Sequence, residues 1–111
     1  MWMVNPRIMC RQHLLGEHVE IHMFIGAISR GQSLKGYLQK GLLEVHSLYD
    51  RHEELVEEMK RRGYKHCSDL DEKWRTVERS GSIYRSKNLS ELVRRCSRCK
   101  RRYSEGKDLI F

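Results

Sequence analysis

The sequence predicts an all-α fold: a compact single domain, residues 1–111, of three main helices with long connecting loops. Three observations predict it. Two long segments repeat their apolar residues at the helical period, a third opens on a helix-start signal, and no segment alternates apolar and polar residues as a half-buried strand does.

The first helix is read over residues 11–29, where Leu14, Ile21, Ile25 and Ile28 form one apolar stripe. His13, Glu17, Glu20 and Phe24 fall on a different face, about a quarter turn away, which lines up two carboxylates and an imidazole. Arg30-Gly31 ends the helix, with glycine supplying a left-handed cap. Residues 31–42 carry Gly31, Gly36 and Gly41 and read as a loop or a short broken helix. The second helix is read over about residues 44–62. Leu48, Leu55 and Met59 stack along it beside Val45 and Val56, and Glu53, Glu54, Glu57 and Glu58 are expected to face solvent. Lys60, Arg61 and Arg62 sit in its last turn, where the helix dipole favours cations, and Gly63 closes it.

Residues 64–87 read as a long connection with a helical turn near 72–78. Asn88-Leu89-Ser90-Glu91 reads as a capping box, opening a third helix that runs to about Tyr103 with Leu89, Leu92, Val93 and Cys96 as its apolar stripe. Ser104–Phe111 reads as a loose tail.

Charge separates the chain into two parts. Residues 1–72 hold ten basic and eleven acidic side chains, whereas residues 73–107 hold twelve basic and three acidic, so a basic C-terminal third joins a near-neutral body. Such a block points to nucleic acid ahead of an acidic lipid or protein. Arg94, Arg95, Arg98 and Lys100 are candidate phosphate contacts on charge alone. No apolar run reaches the ~18–20 residues of a membrane span, and no membrane partner is expected. The start of the chain lacks a basic region followed by an apolar one, so an intracellular protein (cytoplasmic or nucleoid-associated) with reduced thiols is expected.

Metal and phosphate motifs are sparse. His18 and His22 are spaced to chelate one ion, yet no further ligand follows at a spacing that completes a site. His52 falls within the Leu48/Leu55/Met59 stripe and reads as a core histidine. Cys96-Ser97-Arg98-Cys99 is a CxxC without a second one, and only His66 and Cys67 are candidates to join it. The expectation is therefore no metal and no cofactor. There is no Gly-rich phosphate loop and no G-x-S-x-G elbow.

Two stretches resemble a known family. Arg11-Gln12-His13-Leu14-Leu15-Gly16-Glu17-His18-Val19-Glu20 resembles the first helix of the pyrimidine-dimer DNA glycosylase/AP lyase family. Arg51-His52-Glu53-Glu54-Leu55-Val56-Glu57-Glu58-Met59-Lys60-Arg61-Arg62-Gly63-Tyr64 resembles its second long helix, and Trp2-Met3-Val4-Asn5-Pro6 is similar to the opening of cellular members. The resemblance covers about residues 2–66. It implies a compact all-α domain, expected to be monomeric, that binds damaged double-stranded DNA and both excises a base and cleaves the resulting abasic site.

In that family the nucleophile is the N-terminal α-amine. An unperturbed α-amine, with a pKa of about 7.7–8, offers far more neutral nucleophile at pH 7 than a lysine near 10.4. The resemblance assigns the essential acid/base carboxylate to Glu20 and places Gln12 and His13 near the sugar and phosphates. Arg11 is a phosphate contact by proximity. Because Trp2 is too bulky for efficient methionine removal, the nucleophile here is expected to be the Met1 amine. The competing readings are a non-enzymatic DNA-binding module and a small interaction protein with a basic face.

Overall fold

The computed structural model describes residues 1–66 and 68–110, the last four of them as backbone only. Among the described residues it is all-helical. The α-helices are α1 (Arg11–Ser29), α2 (Lys35–Gln39), α3 (Leu48–Arg61), α4 (Arg85–Arg95) and α5 (Ser97–Ile110), with 3₁₀ turns at Pro6–Ile8, Val45–Ser47 and Glu72–Arg75. Five α-helices thus stand where three main ones were expected.

The N-terminal segment is not a frayed end. Met1, Val4, Ile8 and Met9 are buried in the core with Leu14, Ile21 and Phe24 of α1 and Leu48, Leu55 and Met59 of α3. Pro6 opens the first turn with its φ already set, and the Asn5 side chain accepts from the Arg7 amide at 3.0 Å. The α1 helix is more deeply embedded than its apolar stripe implies. Glu17 and His18 are buried as well as Leu14 and Ile21, so the face expected to be polar also meets the core. Burying Glu17 requires a partner, and Arg51 of α3 supplies it: Nε and Nη2 donate to the two carboxylate oxygens at 2.7 and 2.9 Å. The same guanidinium donates to the Val4 carbonyl at 2.7 Å, tying the N-terminal segment to both helices.

Glu58 corrects a second expectation. It does not face solvent but is 4% exposed, held by Arg61 and by Arg62, whose guanidinium continues to the Met9 carbonyl at 2.7 Å. Apolar periodicity cannot anticipate a buried carboxylate whose cations lie one turn further along.

The C-terminal third differs most from expectation. Asn88 is not a cap: α4 already begins at Arg85, and the Asn88 side chain donates to the carbonyls of Met1 and Trp2 at 3.2 and 3.0 Å. Two distant carbonyls in need of a donor outcompete the local Glu91 amide. The helix expected to continue to Tyr103 breaks at Cys96, which is extended (φ −119°, ψ 110°). There the Cys96 amide closes α4 on Leu92, and its carbonyl opens α5 by accepting from Lys100. The segment expected to be a loose tail is helical through Ile110. Cys67 and Phe111, the other residues bearing on the CxxC and tail readings, lie outside the described residues.

The connection before α4 is laced to the loop before α3. Val45 N donates to Ser80 O, and Ile83 N donates to the buried Glu44 carboxylate. Gly81 permits this approach: its φ is +84°, and a Cβ there would lie 2.1 Å from the Leu43 carbonyl oxygen.

Candidate active site

Three anchors bring the N-terminus to one place. The Met1 side chain is buried in the core, Asn88 holds the Met1 and Trp2 carbonyls, and Arg51 holds the Val4 carbonyl. Between them Met3 takes a φ of 56°, a left-handed conformation that costs a β-unbranched residue about 1–2 kcal/mol. Met1 lines a cleft. There its α-amine donates to Glu20 Oε1 at 2.5 Å and to the Leu42 carbonyl at 3.0 Å. Glu20 stands almost one helical turn beyond Glu17 on α1. That offset turns Glu17 into the core and leaves Glu20 36% exposed on the cleft wall.

The cleft has a volume of about 770 Å³, within the usual range for ligand sites. Met1 and Glu20 line it together with Lys87, Arg94 and Arg95 of α4 and Lys40 at the end of α2. Trp2 and Tyr84 add aromatic surface, Tyr84 being 74% exposed. Arg94 and Arg95 both reach Glu91, at 2.8 and 2.9 Å, and the Arg94 hydrogen bond lowers the pKa of that carboxyl.

Of the residues singled out in the sequence, the fold gathers Met1, Glu20, Arg94 and Arg95 around this cleft. Arg11, Gln12, His13, Arg98 and Lys100 do not line it. Arg11 stacks on the Tyr64 ring at 5.1 Å, and Gln12 is exposed in the first turn of α1. Arg98 and Lys100 are exposed on α5. His13 turns its Nδ1 to the sulfurs of Cys10 and Cys99, at 3.2 and 3.7 Å. Lys40, Tyr84 and Lys87 were not singled out beforehand, and Asn88 only as a helix cap. No motif marks the first three as site residues, and only the tertiary placement of α2 and α4 brings the four together at the cleft.

The N-terminal part of the chain carries the decisive similarity. The family model for pyrimidine dimer DNA glycosylase matches residues 1–72. The chain belongs to this family. The match contains Met1 and Glu20, whereas α4, which supplies the cationic wall, lies beyond it. A DNA substrate follows from the family, and the basic C-terminal third is consistent with one. No curated protein and no solved structure shows significant similarity to the chain. Among the described residues of this glycosylase-family chain, no helix is long and apolar enough to cross a membrane.

The fold also makes two donor clusters that sequence spacing did not reveal. His18 and His22 of α1 meet His52 of α3 and His66, and Cys96 and Cys99 meet Cys10 and His13. In the first, burial together with the charges of His52, His22 and His66 pushes His18 down to about 4. In the second, burial pushes the Cys99 thiol up to about 12. His66 therefore joins the histidines and not the CxxC, and His52 is the buried core histidine its stripe predicts, with its Nδ1 3.0 Å from Glu53 Oε1 and three further histidines around it.

Proposed function

We propose that this chain is a DNA glycosylase with a linked abasic-site lyase activity, acting as a monomer on pyrimidine dimers or related base damage through an imine on the Met1 α-amine. One observation carries the reading: the amine and the Glu20 carboxylate are 2.5 Å apart at the wall of a cleft that Lys87, Arg94 and Arg95 make cationic. An amine and a carboxylate in contact suit proton transfer at a nucleophile, and the cationic wall suits a phosphodiester backbone.

In this mechanism Glu20 accepts a proton from the amine, and the nitrogen lone pair attacks C1′ of the damaged nucleotide. The C1′–base bond breaks, and its electron pair leaves with the base, which takes the proton from Glu20 and returns it to its carboxylate form. Opening of the sugar ring gives the imine, whose positive charge Glu20 stabilises. The imine acidifies the C2′ proton. Its removal drives β-elimination, which breaks the C3′–O bond and cuts the strand. The anchors on Met1, Trp2 and Val4 hold the amine in place before DNA arrives, so little ordering remains at the moment of attack. An extruded nucleotide in bent DNA is the form of substrate that an amine in a cleft can reach, and Trp2 and Tyr84 offer faces on which bases can stack.

Borohydride trapping on an abasic-site duplex tests the reading, using untagged protein and mass spectrometry to locate the adduct. An adduct on the Met1 amine is expected. An adduct on a lysine retains the lyase and overturns the nucleophile. Tight DNA binding without any adduct overturns the enzyme reading in favour of a DNA-binding module.

A further inference from the structure

We propose that Cys10, His13, Cys96 and Cys99 form a structural Zn²⁺ centre that locks the N-terminal start of α1 to the α4–α5 junction. The donor set and its dimensions carry the inference. A tetrahedral zinc with Zn–S near 2.3 Å and Zn–N near 2.0–2.1 Å has S···S edges of about 3.8 Å and S···N edges of about 3.6 Å. Here Cys10 Sγ and Cys96 Sγ are 3.8 Å apart, and His13 Nδ1 lies 3.7 Å from Cys99 Sγ and 3.2 Å from Cys10 Sγ. The S···S separation is too long for a disulfide, and together with the two S···N separations it fits a shared cation.

Backbone amides support the sulfurs. Cys10 N–H donates to Cys99 Sγ at 3.2 Å, and Cys99 N–H donates to Cys96 Sγ at 3.4 Å, which stabilises negative charge on both. The break at Cys96 has a purpose in this light. An unbroken helix would leave the CxxC on its own surface, whereas the extended Cys96 starts a new helix whose first turn folds Cys99 back toward Cys10. Four protein donors leave no open position, so the centre is structural. It joins the part of the chain matched by the family model to the basic third that lies outside it. Its His13 ring also packs edge-on against Trp2, centroids 5.8 Å apart, one residue from the amine.

A different observation carries a second centre. His18, His22, His52 and His66 each bury an Nε2 with no hydrogen-bond partner. The four are neighbours: their ligand atoms lie within 4.8 Å of one another, and the ring centroids of His18 are 4.8, 4.9 and 5.0 Å from those of His22, His52 and His66. Neutral imidazoles can pair through an N–H···N bond, but none of these four Nε2 atoms makes one, and a divalent cation satisfies all four at once. His52 Nδ1 lies 3.0 Å from Glu53 Oε1, the outer carboxylate contact that orients a ligating imidazole. A four-imidazole Zn²⁺ site clamping α1, α3 and the chain after α3 follows.

Both centres are tested on the untagged full chain, grown with added zinc and measured by elemental analysis. Two Zn²⁺ per chain are expected, falling to one in Cys99→Ser and to one in His22→Ala. Substitution of the wild type with Co²⁺ gives a readout independent of whether the variants fold. The cysteine site should show sulfur-to-cobalt charge transfer, while the imidazole site contributes only ligand-field bands. One Zn²⁺ per chain with the charge-transfer band overturns the imidazole site. One Zn²⁺ without that band overturns the cysteine site, as does an intact mass showing a cysteine disulfide. Protein that holds neither Zn²⁺ nor Co²⁺ overturns both.

Discussion

Replacing Arg51 by methionine removes the guanidinium that joins α1, α3 and the N-terminal segment. The side chain is 1% exposed, and Glu17, its bidentate partner, is 2% exposed. Methionine retains much of the apolar packing but leaves a buried carboxylate without its cation. Breaking one side of a buried pair costs about 3–5 kcal/mol, against a total stability of about 5–15 kcal/mol for an ordinary domain. With an unfolding entropy of about 2.1 cal/mol/K per residue, a chain of 111 residues loses roughly 13–21 °C of Tm for that cost. Far-UV circular dichroism during heating, at a fixed free zinc concentration, measures the change. The double variant Glu17→Leu/Arg51→Met should recover most of the loss, because a packed apolar pair needs no charge compensation. A single variant that loses less than about 1 kcal/mol, or a double variant as unstable as the sum of the singles, would refute the assignment of Arg51 as the partner that makes Glu17 tolerable.

The other predictions concern the cleft and the acid limb. Glu20→Gln should fold and bind DNA as the wild type does, while single-turnover strand cleavage falls by about 10²–10⁴-fold, the usual range for loss of a positioned acid/base; undiminished cleavage would remove Glu20 from the mechanism. Arg94→Ala/Arg95→Ala should weaken binding to duplexes of any sequence and flatten the plot of log affinity against log salt by about 0.9 for each phosphate no longer neutralised. An unchanged slope would move the backbone contact elsewhere. Glu44 supplies a pH dependence. Burial alone would raise its pKa, but hydrogen bonds from Arg85, Ser47 and the Ile83 amide prevail and lower it from 4.5 to about 2. Its contribution to stability is therefore complete above the unfolded value near 4.5 and is lost as the pH falls toward 2. Glu44→Gln should lower stability at neutral pH by on the order of 1–3 kcal/mol and show a shallower acid decline than the wild type; parallel declines would contradict the shift.

The parts of the fold that were legible in the sequence depend on short-range signals. The period of Leu14 and Ile21, with Gly31 beyond, delimits α1 over residues 11–29, and Gly63 follows the end of α3. Where a long-range partner competes with a local signal, the local signal misleads. Asn88 has the sequence of a cap and the position of a clamp on Met1 and Trp2. Glu58 has the pattern of a solvent-facing residue, yet it is buried between arginines. Within the candidate site, Glu20 was legible through a family motif and Arg94 and Arg95 through charge. Lys40, Tyr84 and Lys87 carried no mark because their only common property is to face one cleft.

The sequence by itself determined an all-helical chain, a family motif containing Glu20 and a basic C-terminal third, because helical period, capping glycines and charge blocks act over a few residues. Only the tertiary structure decided that the Met1 amine meets Glu20, that His18 and His22 meet His52 and His66, and that Cys10 and His13 meet Cys96 and Cys99. Each of these meetings joins residues 19 to 89 positions apart in the chain for at least one of its contacts. Such closure carries an entropy cost that no local pattern records, and it is met by burial of the whole core, with Arg51 and Asn88 setting the register.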